Sequence, residues 1–162
     1  MKIAVFDVDD TLILHGRGSE TYYQGQVNTN IVELLYYANY DRIYLYTNGT
    51  HGHGVAVAEH LGITDYVSKV FGRDLEFMPS MKPHETSFLY VNSEIERDTQ
   101  SYNNEIHFYD DLKENLKTAY TIGWETNLIQ QNGSVATENY IDHVYPNIYA
   151  ALLAKSILEK RK

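Results

Sequence analysis

The sequence predicts an α/β fold with a mostly parallel central sheet. Short apolar runs bounded by turn residues alternate with longer stretches of helical period, the pattern of strands joined by crossover helices. At 162 residues and 43% hydrophobic content the chain suits one domain with a sizeable core. No internal repeat or low-complexity linker divides it.

The elements follow in order. Residues 2–6 read as a buried strand, and residues 29–39 place Ile31, Leu34, Leu35 and Ala38 on one helical face. Residues 42–46 form the next strand. Residues 53–61 look helical and stop at Gly62, where a left-handed cap costs glycine little. Residues 67–71 make a weaker strand. A helix follows, with Pro83 suited to its first turn, and runs to about residue 96. Residues 106–109 form a strand, 112–121 its crossover helix, 124–128 a further strand and 148–158 a closing helix. The polar stretch 98–104 reads as a loop.

Composition excludes several classes of function. With 13 Lys and Arg against 22 Asp and Glu, the net charge is −9, which disfavours nucleic acid or an anionic membrane as the main partner, although a local basic patch is compatible with it. The absence of cysteine removes disulfides, zinc thiolates and cysteine nucleophiles. No apolar run approaches the roughly 20 residues of a membrane helix. Residues 1–7 meet charge too early for a secretory leader, so a cytoplasmic location is the expectation.

Right-handed crossovers gather the strand C-termini at one edge, where ligands bind in α/β sheets. Here those ends carry Asp7-Val8-Asp9-Asp10-Thr11, Thr47-Asn48-Gly49 and Asp110-Asp111, each directly beyond an apolar strand. Asp7-Val8-Asp9-Asp10-Thr11 resembles the first motif of the haloacid dehalogenase superfamily, DxDx(T/V). Thr47-Asn48-Gly49 resembles its second motif, Lys82-Pro83 the third and Phe108-Tyr109-Asp110-Asp111 the fourth, with Asn115 and Gly123 fitting the run that follows. The four segments stand in the right order and span nearly the whole chain.

The resemblance implies a magnesium-dependent phosphatase. Asp7 would attack phosphorus and carry the phosphoryl group, and Asp9 would protonate the leaving alkoxide and then activate water. Magnesium would be held by the Asp7 carboxylate, the Asp9 backbone carbonyl and Asp110. Asp111 is either a supporting ligand or the cap of the following helix. Thr47 and Lys82 would hold phosphoryl oxygens, with backbone N–H groups of Val8 and Asn48 completing the cradle.

Other residues have plainer readings beside these. Asp10 is turn chemistry, and Thr11 either orients Asp7 or meets substrate. Lys69 and Arg73 rival Lys82, but neither precedes a helix in the expected way. His51 and His53, two residues apart, do not share a helical face and suit solvated positions near the site mouth better than a metal, with substrate contact as the alternative. Arg17 belongs to a segment where the superfamily has a hairpin flap, either solvated or pairing with a second anionic group of substrate.

The expected architecture is thus a single Rossmann-like three-layer α/β/α sandwich spanning 1–162. Intervals of 40 residues from Asp7 to Thr47 and 35 from Thr47 to Lys82 are consumed by the elements above and hold no cap domain. The expected substrate is a small phosphorylated metabolite or nucleotide, handled by a monomer or homo-oligomer. The alternatives are a nucleic-acid end phosphatase and a regulatory module that binds without turnover.

Overall fold

Lys2–Phe6 (β1) opens the fold, sending Ile3 and Val5 to one face of the sheet and Ala4 and Phe6 to the other. All four are buried, as a central strand covered on both faces requires. The computed structural model describes residues 1–16, 19–21, 30–131 and 136–160, with side chains for 1–14, 30–131 and 136–157. A short antiparallel hairpin follows, Leu14–Gly16 (β2) and Ser19–Thr21 (β3), where the resemblance places a flap. Arg17 lies outside the described residues.

The chain continues through Ile31–Ala38 (α1), Arg42–Tyr46 (β4), His51–Leu61 (α2), a 3-10 turn at Thr64–Tyr66 and Val67–Phe71 (β5). Glu85–Thr99 (α3), Glu105–Asp110 (β6), Lys113–Thr121 (α4), Glu125–Ile129 (β7), His143–Tyr145 (β8) and Ile148–Lys160 (α5) complete it. The main sheet has the order β5-β4-β1-β6-β7-β8, and every pair is parallel. From β1 the strands step outward through β4 to β5, then return to the other side of β1 with β6. That reversal opens a crevice at the C-terminal end of β1.

Two apolar layers enclose the sheet. Leu34 and Leu35 of α1, Val57 and Ala58 of α2 and Leu152 of α5 pack with Phe6 and Leu45 on one face. Phe88, Val91 and Ile95 of α3 and Leu116 of α4 pack with Val5, Tyr44 and Phe108 on the other. The result is the expected three-layer α/β sandwich. His107 is a polar member of the first face. Tyr40 Oη lies 2.8 Å from its Nδ1, and the carboxylates of Glu105 and Glu125 lie 3.1 and 3.2 Å from its Nε2. Among the described residues no helix is long and apolar enough to cross a membrane.

Element ends depart from the sequence expectations for local reasons. Asn30 caps α1 by accepting from Val32 N at 2.9 Å. Thr50 caps α2 by accepting from His53 N at 3.1 Å, so the helix begins at His51, two residues earlier than expected. Pro83 is not in a helical first turn; it precedes α3, whose cap position is His84. Asp98 and Thr99 belong to α3 rather than to a loop, because the buried stripe Phe88, Val91, Ile95 continues to Thr99. Gln100, at φ 53°, then ends the helix. Strand β8 was not expected at all, being three partly exposed residues at the sheet edge without an apolar run.

Close backbone approach fixes α2 over β5. A Cβ at Gly54 would lie 2.6 Å from Val70 Cγ1, and one at Gly72 only 2.3 Å from the His51 backbone nitrogen.

Candidate active site

Asp7 is the first residue beyond β1, and its N–H donates to Tyr109 O of the neighbouring β6 at 2.9 Å. The chain then turns sharply. Thr11, Leu12 and Ile13 all donate backbone N–H groups to Val8 O, and Asp10 adopts φ 62°, the left-handed conformation that short polar residues tolerate. The turn expected of Asp10 is therefore present. Thr11 Oγ1 donates to Asp7 Oδ2 at 3.2 Å, so it orients the carboxylate.

Lys82 reaches this point from the loop between β5 and α3. Its side chain is 1% exposed, and Nζ donates to Asp7 Oδ1, Asp110 Oδ2 and Tyr46 O, each at 2.9 Å. The rings of Tyr46 and Phe108 flank the ammonium, with centroids at 4.8 and 5.6 Å. Asn48 joins the loops of the second and third segments: its Oδ1 accepts from Lys82 N at 2.9 Å and its Nδ2 donates to Lys82 O at 3.0 Å. Neither Lys69, which pairs with Glu94, nor Arg73, whose Nη1 donates to Asn48 O, takes the place of Lys82.

Asp110 ends β6 with no exposure to solvent. Its Oδ1 accepts from Leu112 N at 2.9 Å and its Oδ2 from Asn115 Nδ2 at 3.0 Å, so the helix that follows holds the carboxylate still. Asp111 does not cap that helix: the cap position is Leu112, whose backbone N–H is taken by Asp110. Its carboxylate instead joins those of Asp7 and Asp110, with one oxygen from each within 4.8 Å of the others.

Electrostatics mark this trio. Burial raises the Asp7 carboxyl above the ordinary range and the charge of Asp110 adds to that, while Lys82 works in the opposite direction. Asp111 is raised by burial first, then by its hydrogen bond with Asp7 and the charge of Asp110. Lys82 is raised too, its desolvation being outweighed by the two aspartates. Three carboxylates thus face one ammonium, which leaves two negative charges uncompensated when all three are ionised. Hard oxygen donors carrying that excess fit a divalent cation such as magnesium.

The second segment closes the other side. Thr47, 2% exposed, donates its N–H to Phe71 O, and its Oγ1 accepts from Gly49 N, both at 2.9 Å. A Cβ at Gly49 would lie 3.2 Å from Thr47 Oγ1, 3.4 Å from His53 Cδ2 and 3.8 Å from Asp9 Oδ2, so these three groups border one point. Sequence reasoning set His53 near the site mouth but did not foresee its partner, for its Nε2 is 2.8 Å from Asp9 Oδ1. The usable signal was Thr50, a helix cap that puts His53 in the first turn above the loop. His51 differs: it is exposed, and its backbone N–H donates to Asp74.

Asp7, Thr11, Lys82, Asp110, Asp111 and Asn115 therefore form one cluster, and Asp9, Thr47, Gly49 and His53 a second beside the same sheet edge. An open groove of about 700 Å³ near Tyr36, Tyr40 and Tyr66 lies at the opposite edge, away from these groups.

No family model and no curated protein matches the sequence. Solved structures do match. An uncharacterized protein from Listeria monocytogenes serotype 4b superposes with a TM-score of 0.67 at 16% identity, covering 99% of each chain. A hydrolase of the haloacid dehalogenase-like family from Streptococcus pneumoniae gives 0.64 at 12% identity, covering 99% of this chain and 98% of that one. D,D-heptose 1.7-bisphosphate phosphatase from B. bronchiseptica, complexed with magnesium and phosphate, gives 0.62 at 14% identity, covering 99% of each chain. With its order of strands and its aspartates at their C-terminal edge, the chain has a haloacid dehalogenase-like fold.

Proposed function

We propose that this chain is a magnesium-dependent phosphomonoester hydrolase that acts through an aspartyl-phosphate on Asp7, in one domain without a cap. The observation that carries the proposal is Lys82 bridging Asp7 and Asp110 at 2.9 Å each, with Asp111 as third carboxylate, at the edge where the sheet opens. The likeness of fold to a phosphatase crystallised with magnesium and phosphate supports it.

Asp7, Asp110, Asp111 and the backbone carbonyl of Asp9 would hold the magnesium. Once bound, the ion neutralises phosphoryl charge and acts as a Lewis acid. The remaining chemistry belongs to the protein. An Asp7 oxygen attacks phosphorus as the ester P–O bond breaks, and Asp9 passes its proton to the departing alkoxide. Water then attacks the phosphorus of the mixed anhydride, Asp9 takes a proton from it, and the Asp7 carboxylate leaves. Lys82 and the Thr47 hydroxyl stabilise charge on the equatorial oxygens, together with backbone N–H groups of Val8 and Asn48.

A small phosphorylated metabolite is the proposed substrate class. The test is a screen of phosphorylated sugars, nucleotides, amino acids and oligonucleotide ends with magnesium, on the wild type and on Asp7→Asn. The amide keeps shape but not nucleophilicity, so turnover should vanish while the circular dichroism spectrum and melting transition survive. Retained turnover in Asp7→Asn would assign the reaction to direct attack by water.

A further inference from the structure

We infer that His53 is a positioning residue that orients the Asp9 carboxylate for proton transfer, a role that rests on the phosphatase function proposed above. Asp9 sits on a tight turn, and a carboxylate there has rotamers that aim it away from the leaving oxygen. A general acid works only within hydrogen-bond reach of the atom that it protonates. Something must hold that geometry.

The imidazole is placed to do so. His53 lies in the first turn of α2, with its backbone N–H held by the Thr50 cap at 3.1 Å. Its Nε2 lies 2.8 Å from Asp9 Oδ1, and the contact is partly shielded, with side chains 27% and 35% exposed. A neutral imidazole protonated on Nε2 makes this bond, so no change of charge is required. Asp9 Oδ2 lies close to Gly49, beside Thr47, on the side where the phosphoryl group is proposed to bind. The Nε2–H stays in place while the transferred proton moves between Asp9 and the leaving oxygen. The two aspartates given chemical roles in the first segment then have separate anchors: Lys82 and Thr11 hold Asp7, and His53 holds Asp9.

The decisive comparison is single-turnover release of the leaving group from p-nitrophenyl phosphate and from the best alkyl phosphate found in the screen, in wild type, His53→Ala and His53→Gln. In His53→Ala, release from the alkyl ester should slow by about 10- to 100-fold, a share of what general acid catalysis supplies, while the p-nitrophenyl ester, which needs little acid help, slows far less. KM should hold, and Gln, which keeps an N–H donor, should restore part of the rate. Equal losses on both esters, or a raised KM with unchanged kcat, would overturn the role and make His53 a structural or substrate-contact residue. Imidazole ¹⁵N resonances of wild type and Asp9→Asn test the contact without turnover. Movement of the His53 signals is expected, and unmoved signals overturn the inference. If they move but the wild type hydrolyses no phosphoester, the contact stands and the phosphatase function fails, taking this role with it.

Discussion

Lys82 directs its ammonium at three groups of the protein itself, two carboxylates and a carbonyl. Desolvating an ammonium costs several kcal/mol, and only close, well-satisfied partners repay it. Substituting the lysine therefore does more than remove a phosphate contact, since it leaves Asp7 and Asp110 facing each other across a buried gap. Lys82→Met, which keeps length and apolar volume, should lose about 3–5 kcal/mol of stability as a broken buried pair does. Its turnover should be abolished. Urea unfolding beside an activity assay checks both, and unchanged stability with lost turnover would mean that the aspartates are not paired through Lys82 in the resting protein. Asn115 and Thr11 show the same economy at smaller scale, each using one hydrogen bond to aim a carboxylate.

Helix α2 is the element on which the second cluster depends, for it carries His53 and follows directly on Thr47 and Gly49. It presses on the end of β5, where only glycine at 72 admits the backbone at His51. Gly72→Ala should push the start of α2 outward, costing about 1–3 kcal/mol by overpacking and lowering kcat more than the loss of folded protein explains. A melting curve and active-site titration separate the two effects; a variant as stable and active as wild type would show that the contact relaxes freely. Elements of this kind also show what is legible in a sequence. Strands β1, β4 and β5 read true to the residue, the interior β1 and β4 because a strand buried on both faces leaves an apolar run and the edge strand β5 from Val67, Val70 and Phe71. Three of the four polar segments read because each stands at the end of a strand, and Lys82 because it stands before a helix. Strand β8 leaves no such run, and the end of α3 hides in a polar stretch whose burial at Thr99 only packing reveals. The bond from His53 to Asp9 spans 44 positions of sequence and depends on how a helix leans over a turn, which no local pattern encodes.

Across the whole molecule, folding concentrates charge that the extended chain keeps apart. Asp7, Lys82 and the Asp110-Asp111 pair come from distant segments and meet only when β6 pairs with β1 and the loop before α3 closes over them. Three buried or half-buried carboxylates against one lysine oppose folding, in a protein already carrying a net charge of −9. Magnesium should bind the folded site far better than the scattered residues of the unfolded chain, so the ion should stabilise the fold by linkage. At 100 times its dissociation constant the gain is about 2.7 kcal/mol, or roughly 5–10 °C in Tm for a chain of this size. Asp111→Asn should act in the opposite sense on the two states: replacing a carboxyl that burial and its neighbours hold against ionisation should raise Tm in chelator at neutral pH, while the rise produced by magnesium should shrink. Thermal melts at constant ionic strength, with sodium replacing magnesium in the control, keep general screening out of the comparison. If sodium matched magnesium, or if Asp111→Asn melted below wild type in chelator, charge repulsion among these aspartates would not be what the ion relieves. A selective magnesium gain, reduced in Asp111→Asn, would instead mean that the fold tolerates a strained group of charges because the ion needed for chemistry also completes the structure.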